Sequence, residues 1–324
     1  MKQNFFITGG TGSFAKKFSS YLIKKKIAKK IIIFSRDEYK QMSMKNLPFV
    51  KSNKKIFRFY IGDVRDKNRL RWAIQDDTDV VIHSAALKQV PATEYNPFET
   101  VMTNVIGSQN LIEICIEKNI KKNVLISTDK AVSPINLYGS TKLTAEKLFI
   151  SANVFKGKKR SKFSVIRYGN VMGSRGSVIP VFLEQNRHKT NPFTVTDKKM
   201  TRFNITLSES ASFVLNCIKS MKGSEVFVPK LPSYRIMDLV KAINQKKKVK
   251  VIGVRPGEKI HEELITASDF NKIIEKKSHY IIDSKINKKN NKFKSYNSFD
   301  NLDYLSIKQI KRLIEKNKSD FDKQ

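Results

Sequence analysis

The chain has 324 residues, 40% of them hydrophobic and 28% charged, and carries a formal net charge of +34 at pH 7. That length and balance describe a globular protein with a substantial core, and no run approaches the ~18 consecutive apolar residues of a membrane span. A strand-like run at Phe5-Phe6-Ile7 begins too early for a signal peptide to precede it, so the cytoplasm is the expected compartment.

The positive charge points first to nucleic acid, but its distribution argues against that partner. Lysine is spread along the whole chain, rises together with Ile and Asn, and never forms a basic stripe interleaved with aromatics. A diffuse positive potential suits an anionic substrate better. Cys115 and Cys217 lie in apolar helical patterns and read as small buried hydrophobes, neither a disulfide nor a metal pair. The four histidines are scattered without ligand spacing, and no metal is expected.

A first strand at residues 4–8 leads into Thr8-Gly9-Gly10-Thr11-Gly12-Ser13-Phe14-Ala15 and a helix. Glycines between a strand and a helix let the backbone turn tightly and approach a pyrophosphate, with the helix N-terminal amides facing it. Gly9, Thr11, Gly12, Ser13 and Phe14 are therefore expected to hold a dinucleotide. The second strand (31–34) ends in Ser35-Arg36-Asp37. An acid there bonds the ribose of NAD, and an arginine suits the 2′-phosphate of NADP. Arg36 and the Ser35 hydroxyl favour NADP, Lys40 adds a cation, and Asp37 leaves NAD open. A third strand (56–61) delivers Asp63 toward the adenine beside Val64, and a fourth (79–83) gives way to small residues including Ala85. Lys88 follows, on a polar loop leading into one long amphipathic helix ending near Asn119.

The fifth strand ends in S-T-D-K-A-V-S-P-I-N-L-Y-G-S-T-K, residues 127–142. Ligands of parallel α/β sheets bind at such strand ends. Tyr138 and Lys142 are four apart, on one helix face, although that spacing alone is common on exposed helices. An ammonium beside a phenol lowers its pKa, preparing it to take a proton from a hydroxyl. Asp129 and Lys130 add an acid and an amine. Beyond a sixth strand (163–167) the chain becomes less regular, with Asn170 in a glycine-rich crossing that includes Arg175. A helix is expected at 207–219, a turn at 254–259 before another helix, a loose loop at 285–299 and a terminal helix at 304–316. Arg202 and Arg255 are placed to grip a diphosphate or uracil. The expected architecture is α/β, a Rossmann-type doubly wound parallel sheet (1–168, with later segments returning) and a smaller C-terminal substrate-binding domain (169–284), then the lysine-rich loop and helix (285–324).

Together these runs resemble the extended short-chain dehydrogenase/reductase superfamily. More narrowly, A-A-L-K-Q-V-P-A-T-E-Y-N-P, the 127–142 stretch, R-Y-G-N-V-M-G-S-R-G-S-V-I-P and R-P-G-E-K are similar to the soluble, inverting UDP-N-acetylglucosamine 4,6-dehydratases that open the pseudaminic acid pathway. Ala15 replaces a frequent third glycine, and the periphery is unusually rich in lysine. Members fused to membrane domains usually carry methionine where this chain has Tyr138, and they retain C5 configuration. The resemblance implies that Tyr138 accepts the C4 hydroxyl proton, with Lys142 lowering its pKa and Thr128 bonding the C4 oxygen. It implies that Lys130 removes the C5 proton and a protonated Asp129 helps the C6 hydroxyl leave, although these two could exchange parts. It further implies NADP as cofactor, a UDP-sugar held by Lys88, Asn170, Arg202, Arg255 and Glu258, and a homo-oligomer without membrane insertion. A retaining dehydratase, a sugar-nucleotide 4-epimerase and a non-catalytic Rossmann protein are the competing readings; the epimerase would not need Asp129-Lys130.

Overall fold

The computed structural model describes residues 2–174, 176–188, 191–286 and 294–318. Six parallel strands are laid down in turn: β1 (Gln3–Thr8), β2 (Ala28–Ser35), β3 (Phe57–Ile61), β4 (Val80–His83), β5 (Lys122–Thr128) and β6 (Lys162–Tyr168). Their spatial order is β3-β2-β1-β4-β5-β6. Glu225–Pro229 adds a seventh parallel strand beside β6, and His279–Asp283 and Ile273–Glu275 close that edge antiparallel. Late segments thus return to the sheet. Phe5, Phe6, Ile31, Ile33, Val81 and Leu125 are fully or almost fully buried, as continuous apolar runs covered on both faces require. Strand order reverses between β1 and β4, which opens a crevice at their C-terminal ends.

The glycine turn after β1 fits into that crevice. Gly9 has φ +61°, and a Cβ there would meet the Ala85 nitrogen at 2.8 Å. Ala15 packs buried one turn inside the helix Ser13–Lys24, so a third glycine is not needed at this position.

The expected single helix before Asn119 is broken into Val90–Tyr95, Pro97–Val101, a π turn at Met102–Ile106, and Gly107–Glu117. Pro97 lacks a donor and displaces Asn96 from helical geometry (φ −122°, ψ 66°). The wider turn brings in the Asn104 amide, which accepts from Leu87 N (2.8 Å) and donates to Leu87 O (2.9 Å) and Thr141 Oγ1 (3.0 Å). One side chain thereby ties the loop after β4 to the helix Leu137–Phe155.

The helix expected directly after residues 254–259 is displaced: a strand comes first, and the next helix is a short 3₁₀ segment, Ala267–Lys272. After the turn the backbone pairs outward, with Thr201 N donating to Ile260 O and Ser298 N to Glu262 O, and then enters the strand Glu263–Ile265. That strand pairs antiparallel with Tyr296–Asn297, so the end of the expected loose loop is ordered; residues 287–293 lie outside the described set, as does Arg175. The terminal helix starts at Ile307, where Ser306 and Gln309 form a capping box, and not at Tyr304. Its Ile310 joins a second apolar cluster with Met172, Phe182, Phe193, Met200 and Leu239. Among the described residues no helix is long and apolar enough to cross a membrane.

Asn104→Ala removes three hydrogen bonds, one buried and two partly buried, and leaves the Leu87 amide and carbonyl without these partners. We expect it to lower unfolding stability by about 1–3 kcal/mol. Urea unfolding measures this, and a loss of only a few tenths would show that the clamp is not structural.

Candidate active site

A cleft of about 770 Å³ runs from the glycine turn to the second apolar cluster. Its volume is that of a site for a sizeable ligand.

At the dinucleotide end, the Thr8 hydroxyl accepts from Ser84 N and Ala85 N, both at 3.2 Å, so its own proton goes to His83 Nδ1 at 2.8 Å. That fixes the imidazole with its proton on Nε2, which donates to Ser108 Oγ at 3.0 Å. Burial, aided by the Lys142 charge, drives the His83 pKa down to about 3. Phe14 stacks on Phe18 with ring centroids 5.5 Å apart, and Thr11, Gly12 and Ser13 line the turn. Arg36 is half exposed on the cleft wall, 3.5 Å from Asp63. Asp63 is also held by Arg65, and its pKa is lowered: burial opposes the shift, but the hydrogen bonds from Arg65 and the nearby guanidiniums outweigh it. Asp37 caps the next helix through Lys40 N (2.8 Å) and pairs with Lys40 Nζ (2.5 Å). Ser35 Oγ accepts from Gln41 Nε2 at 3.1 Å, and Val64 is buried behind the wall.

At the other end, β5 finishes in a 3₁₀ turn, Asp129–Ala131, whose first residue is completely buried. Asp129 Oδ1 accepts from Thr128 Oγ1 (2.9 Å) and Lys130 Nζ (3.0 Å), and Oδ2 has no partner. The same ammonium donates to Glu262 Oε1 (3.1 Å) and Asn170 Oδ1 (3.3 Å). Arg202 is 93% buried at its side chain, 3.5 Å from Glu258 and 3.7 Å from Glu262. Burial raises the Asp129 pKa, against the pull of Lys130. Burial alone would lower the Lys130 pKa, yet its two carboxylate neighbours raise it.

Tyr138 and Lys142 both line this cleft, one turn apart on the helix Leu137–Phe155. Asn136 caps the helix through Gly139 N at 2.7 Å, and a Cβ on Gly139 would come within 2.1 Å of Lys130 O. Only glycine lets the helix start directly on the Asp129-Lys130 turn. The expected lowering of the phenol pKa by Lys142 is not what this geometry gives. Lys142 Nζ donates to Ile126 O at 2.8 Å, and burial pushes Tyr138 up to about 12, opposed by Lys130 and Thr128. Lys142 itself is lowered to about 8 by burial, against the pull of Glu146.

The cleft thus gathers the residues singled out in the sequence with one exception: Asp129 is wholly buried and meets the cleft only through Thr128 and Lys130, which line it. Lys88 and Arg255 sit exposed at its margin, and Arg202 is already engaged. Sequence reasoning missed Glu262, Tyr234 and Asn104. Glu262 stands four residues past Glu258 in E-K-I-H-E, where a helix was expected, and no spacing marks it as a partner of Lys130. Ser298 backs it, its hydroxyl accepting from Glu262 N at 2.9 Å.

Residues 5–284 match the family model described as polysaccharide biosynthesis protein. The chain is 47% identical to the UDP-N-acetylglucosamine 4,6-dehydratase (inverting) of Campylobacter jejuni, over 88% of this chain and 84% of that one. It is 41% identical to the UDP-glucose 4-epimerase of Rickettsia bellii, over 85% and 81%. The X-ray structure of Pen from Bacillus thuringiensis matches it with a TM-score of 0.90 at 38% identity, covering 98% of both chains.

His83 offers a pH test of the wall behind Ala85. Its folded pKa lies below the ordinary value of 6.5, so between 6.5 and about 3 the unfolded chain binds the extra proton. Stability from this group is complete above that window and is lost as pH falls through it, by up to about 1.4 kcal/mol per pH unit. In urea unfolding at pH 7, 6 and 5, His83→Gln should be less stable at pH 7 yet show a shallower decline. An identical decline in both proteins would refute the assignment.

Proposed function

The chain belongs to the polysaccharide biosynthesis protein family, and from that membership we propose that it is a UDP-N-acetylglucosamine 4,6-dehydratase that inverts C5 and prefers NADP. The observation that carries this reading is the meeting in one cleft of Tyr138 and Lys142 with Lys130, whose ammonium is backed by the buried Asp129 at 3.0 Å. Tyr138 and Lys142 serve oxidation at a sugar hydroxyl; Lys130 and Asp129 serve loss of water.

The glycine turn fits a dinucleotide: Gly9 presses against Ala85 where a Cβ would collide, and Gly12 precedes a helix N-terminus. A nicotinamide dinucleotide would supply the hydride acceptor for C4 and the hydride donor for C6, with no net redox. Gly9, Thr11, Gly12, Ser13, Phe14, Asp63, Val64 and Ala85 would hold it, with Lys142 on the ribose. Asp37 is occupied in its helix cap and in pairing with Lys40, so Arg36 remains the group suited to a 2′-phosphate.

Tyr138 accepts the proton of the C4 hydroxyl, and the Thr128 hydroxyl bonds the C4 oxygen. A positive charge is needed for that, because burial alone keeps the phenol protonated; Lys130 supplies it. The resulting C4 carbonyl acidifies C5–H. Lys130 first passes its own proton to Asp129, 3.0 Å away, and then as the neutral amine removes the C5 proton, while the C6 hydroxyl leaves as water with the proton now held by Asp129, whose raised pKa suits an acid. Proton return to C5 from the opposite face gives inversion. Asn170, Arg202, Arg255, Glu258 and Lys88 are the proposed contacts to the UDP-sugar. The product, a 6-deoxy-4-keto sugar nucleotide, suits pseudaminic acid or a related glycan made in the cytoplasm. A homo-oligomer belongs to the same proposal, since Trp72, Tyr95 and Phe98 leave apolar surface open to cover.

The name of the Rickettsia relative raises a second reading, 4-epimerisation, which would not need Asp129 and Lys130; the higher identity to the dehydratase weighs against it. UDP-GlcNAc incubated with the protein in D₂O and followed by NMR separates the two. We expect a new 6-methyl signal and deuterium at an inverted C5; a C4 epimer without a methyl signal would favour the epimerase. Lys130→Ala should still show reduced-nicotinamide absorbance in a single turnover, persisting without methyl formation. Near-native product from that variant would remove Lys130 from the mechanism.

Arg36→Ala tests the cofactor preference. By calorimetric titration, NADP should bind about 1–3 kcal/mol more weakly while NAD is little changed. Equal losses for both would count against the assignment.

A further inference from the structure

Lys130 poses a problem that the proposed chemistry does not resolve. Its ammonium has three protons and the structure offers three acceptors, on Asp129, Glu262 and Asn170, within 3.0–3.3 Å. An amine so saturated is held charged. Two of those acceptors have assigned parts, but Glu262 has none.

Glu262 is 2% exposed, and its backbone is pinned on both sides by Ser298. One carboxylate oxygen faces Lys130 Nζ at 3.1 Å and Arg202 Nε at 3.7 Å; the other has no partner. The groups facing the Asp129–Lys130 pair from surrounding elements are Glu262, Arg202, Lys259, Tyr138 and Tyr234. Of these, only Glu262 carries a negative charge. We propose that Glu262 is a positioning residue for the chemistry at C5: its fixed carboxylate sets both the place of the Lys130 nitrogen and the pH at which Lys130 and Asp129 exchange their protons.

The physical reason is the sign of that charge. A carboxylate beside an ammonium makes its proton harder to lose, and beside a second carboxylate makes a proton easier to gain. Glu262 acts in both senses, raising the proton affinity of Lys130 and of Asp129 together. Burial opposes ionisation of Glu262, but Lys130 and then Arg202 outweigh it and keep the carboxylate charged. The inference rests on the reading of Lys130 as the group that takes the C5 proton.

The test is deuterium incorporation at C5 of UDP-GlcNAc in D₂O, followed by NMR across pH 5–10, roughly the span of the groups involved. Glu262→Gln keeps the shape and removes the charge. We expect both limbs of the C5 exchange profile to move to lower pH by about one unit or more, and the maximum to fall because Nζ loses an anchor. Glu262→Asp, which keeps the charge, should restore the limbs even if the maximum stays low. A Glu262→Gln profile lowered in height with its limbs unmoved would overturn the proposal and leave Glu262 a packing residue. Lys130→Ala separates the two levels: if it still exchanges C5, the reading of Lys130 itself fails, whatever Glu262 does.

Discussion

The interaction on which the rest depends is an ammonium held among carboxylates at the end of β5. Charges removed from water are costly unless each is paired and hydrogen-bonded, and Asp129 is wholly buried. Distant parts of the chain therefore converge on this one point: Asn170 after β6, Arg202 from a short strand, and Glu262 from the segment that failed to become a helix. Two glycines make the convergence possible. Gly139 lets the Tyr138 helix start against Lys130 O, and Gly169 brings the chain so near Asp129 that a Cβ would lie 3.3 Å from Oδ2. Even so, one oxygen each on Asp129 and Glu262 has no partner.

The dinucleotide end is built on different terms. There the chain uses neutral hydrogen bonds, running from Ser84 and Ala85 through Thr8, His83 and Ser108 to the Asn104 carbonyl. Asn104 closes the circuit onto Leu87 and Thr141. The wall that would face a cofactor and the helix that carries Tyr138 are thereby held in fixed relation by a single amide.

Much of this was legible in the sequence because it is local. The glycine turn, the strand ends and the stretch from Ser127 to Lys142 each state their chemistry within a few consecutive residues, and the sheet follows from apolar runs of strand length. What was not legible depends on where backbone groups find partners. Nothing in the pattern near Asn96 announces a π turn, since the apolar period survives it. A helix was expected after the turn at 254–259, but the Ile260 and Glu262 carbonyls and the Glu262 amide bond to Thr201 and Ser298, so tertiary pairing overrode local preference. Glu262 was hidden for that reason. The Tyr138–Lys142 spacing was read correctly, but the expected electrostatic effect was not realised, because the Ile126 carbonyl takes the ammonium.

The strand Tyr296–Asn297 carries a consequence for how this chain can be divided. The family model ends at residue 284, yet Ser298 holds both the Glu262 backbone and the Thr201 side chain, and the Tyr296 hydroxyl bonds both the amide and the carbonyl of Leu231. Fragments trimmed to the matched span would lose the back of the charged cluster while retaining every residue proposed to bind cofactor or substrate. For this molecule the unit of folding is longer than the unit of recognition.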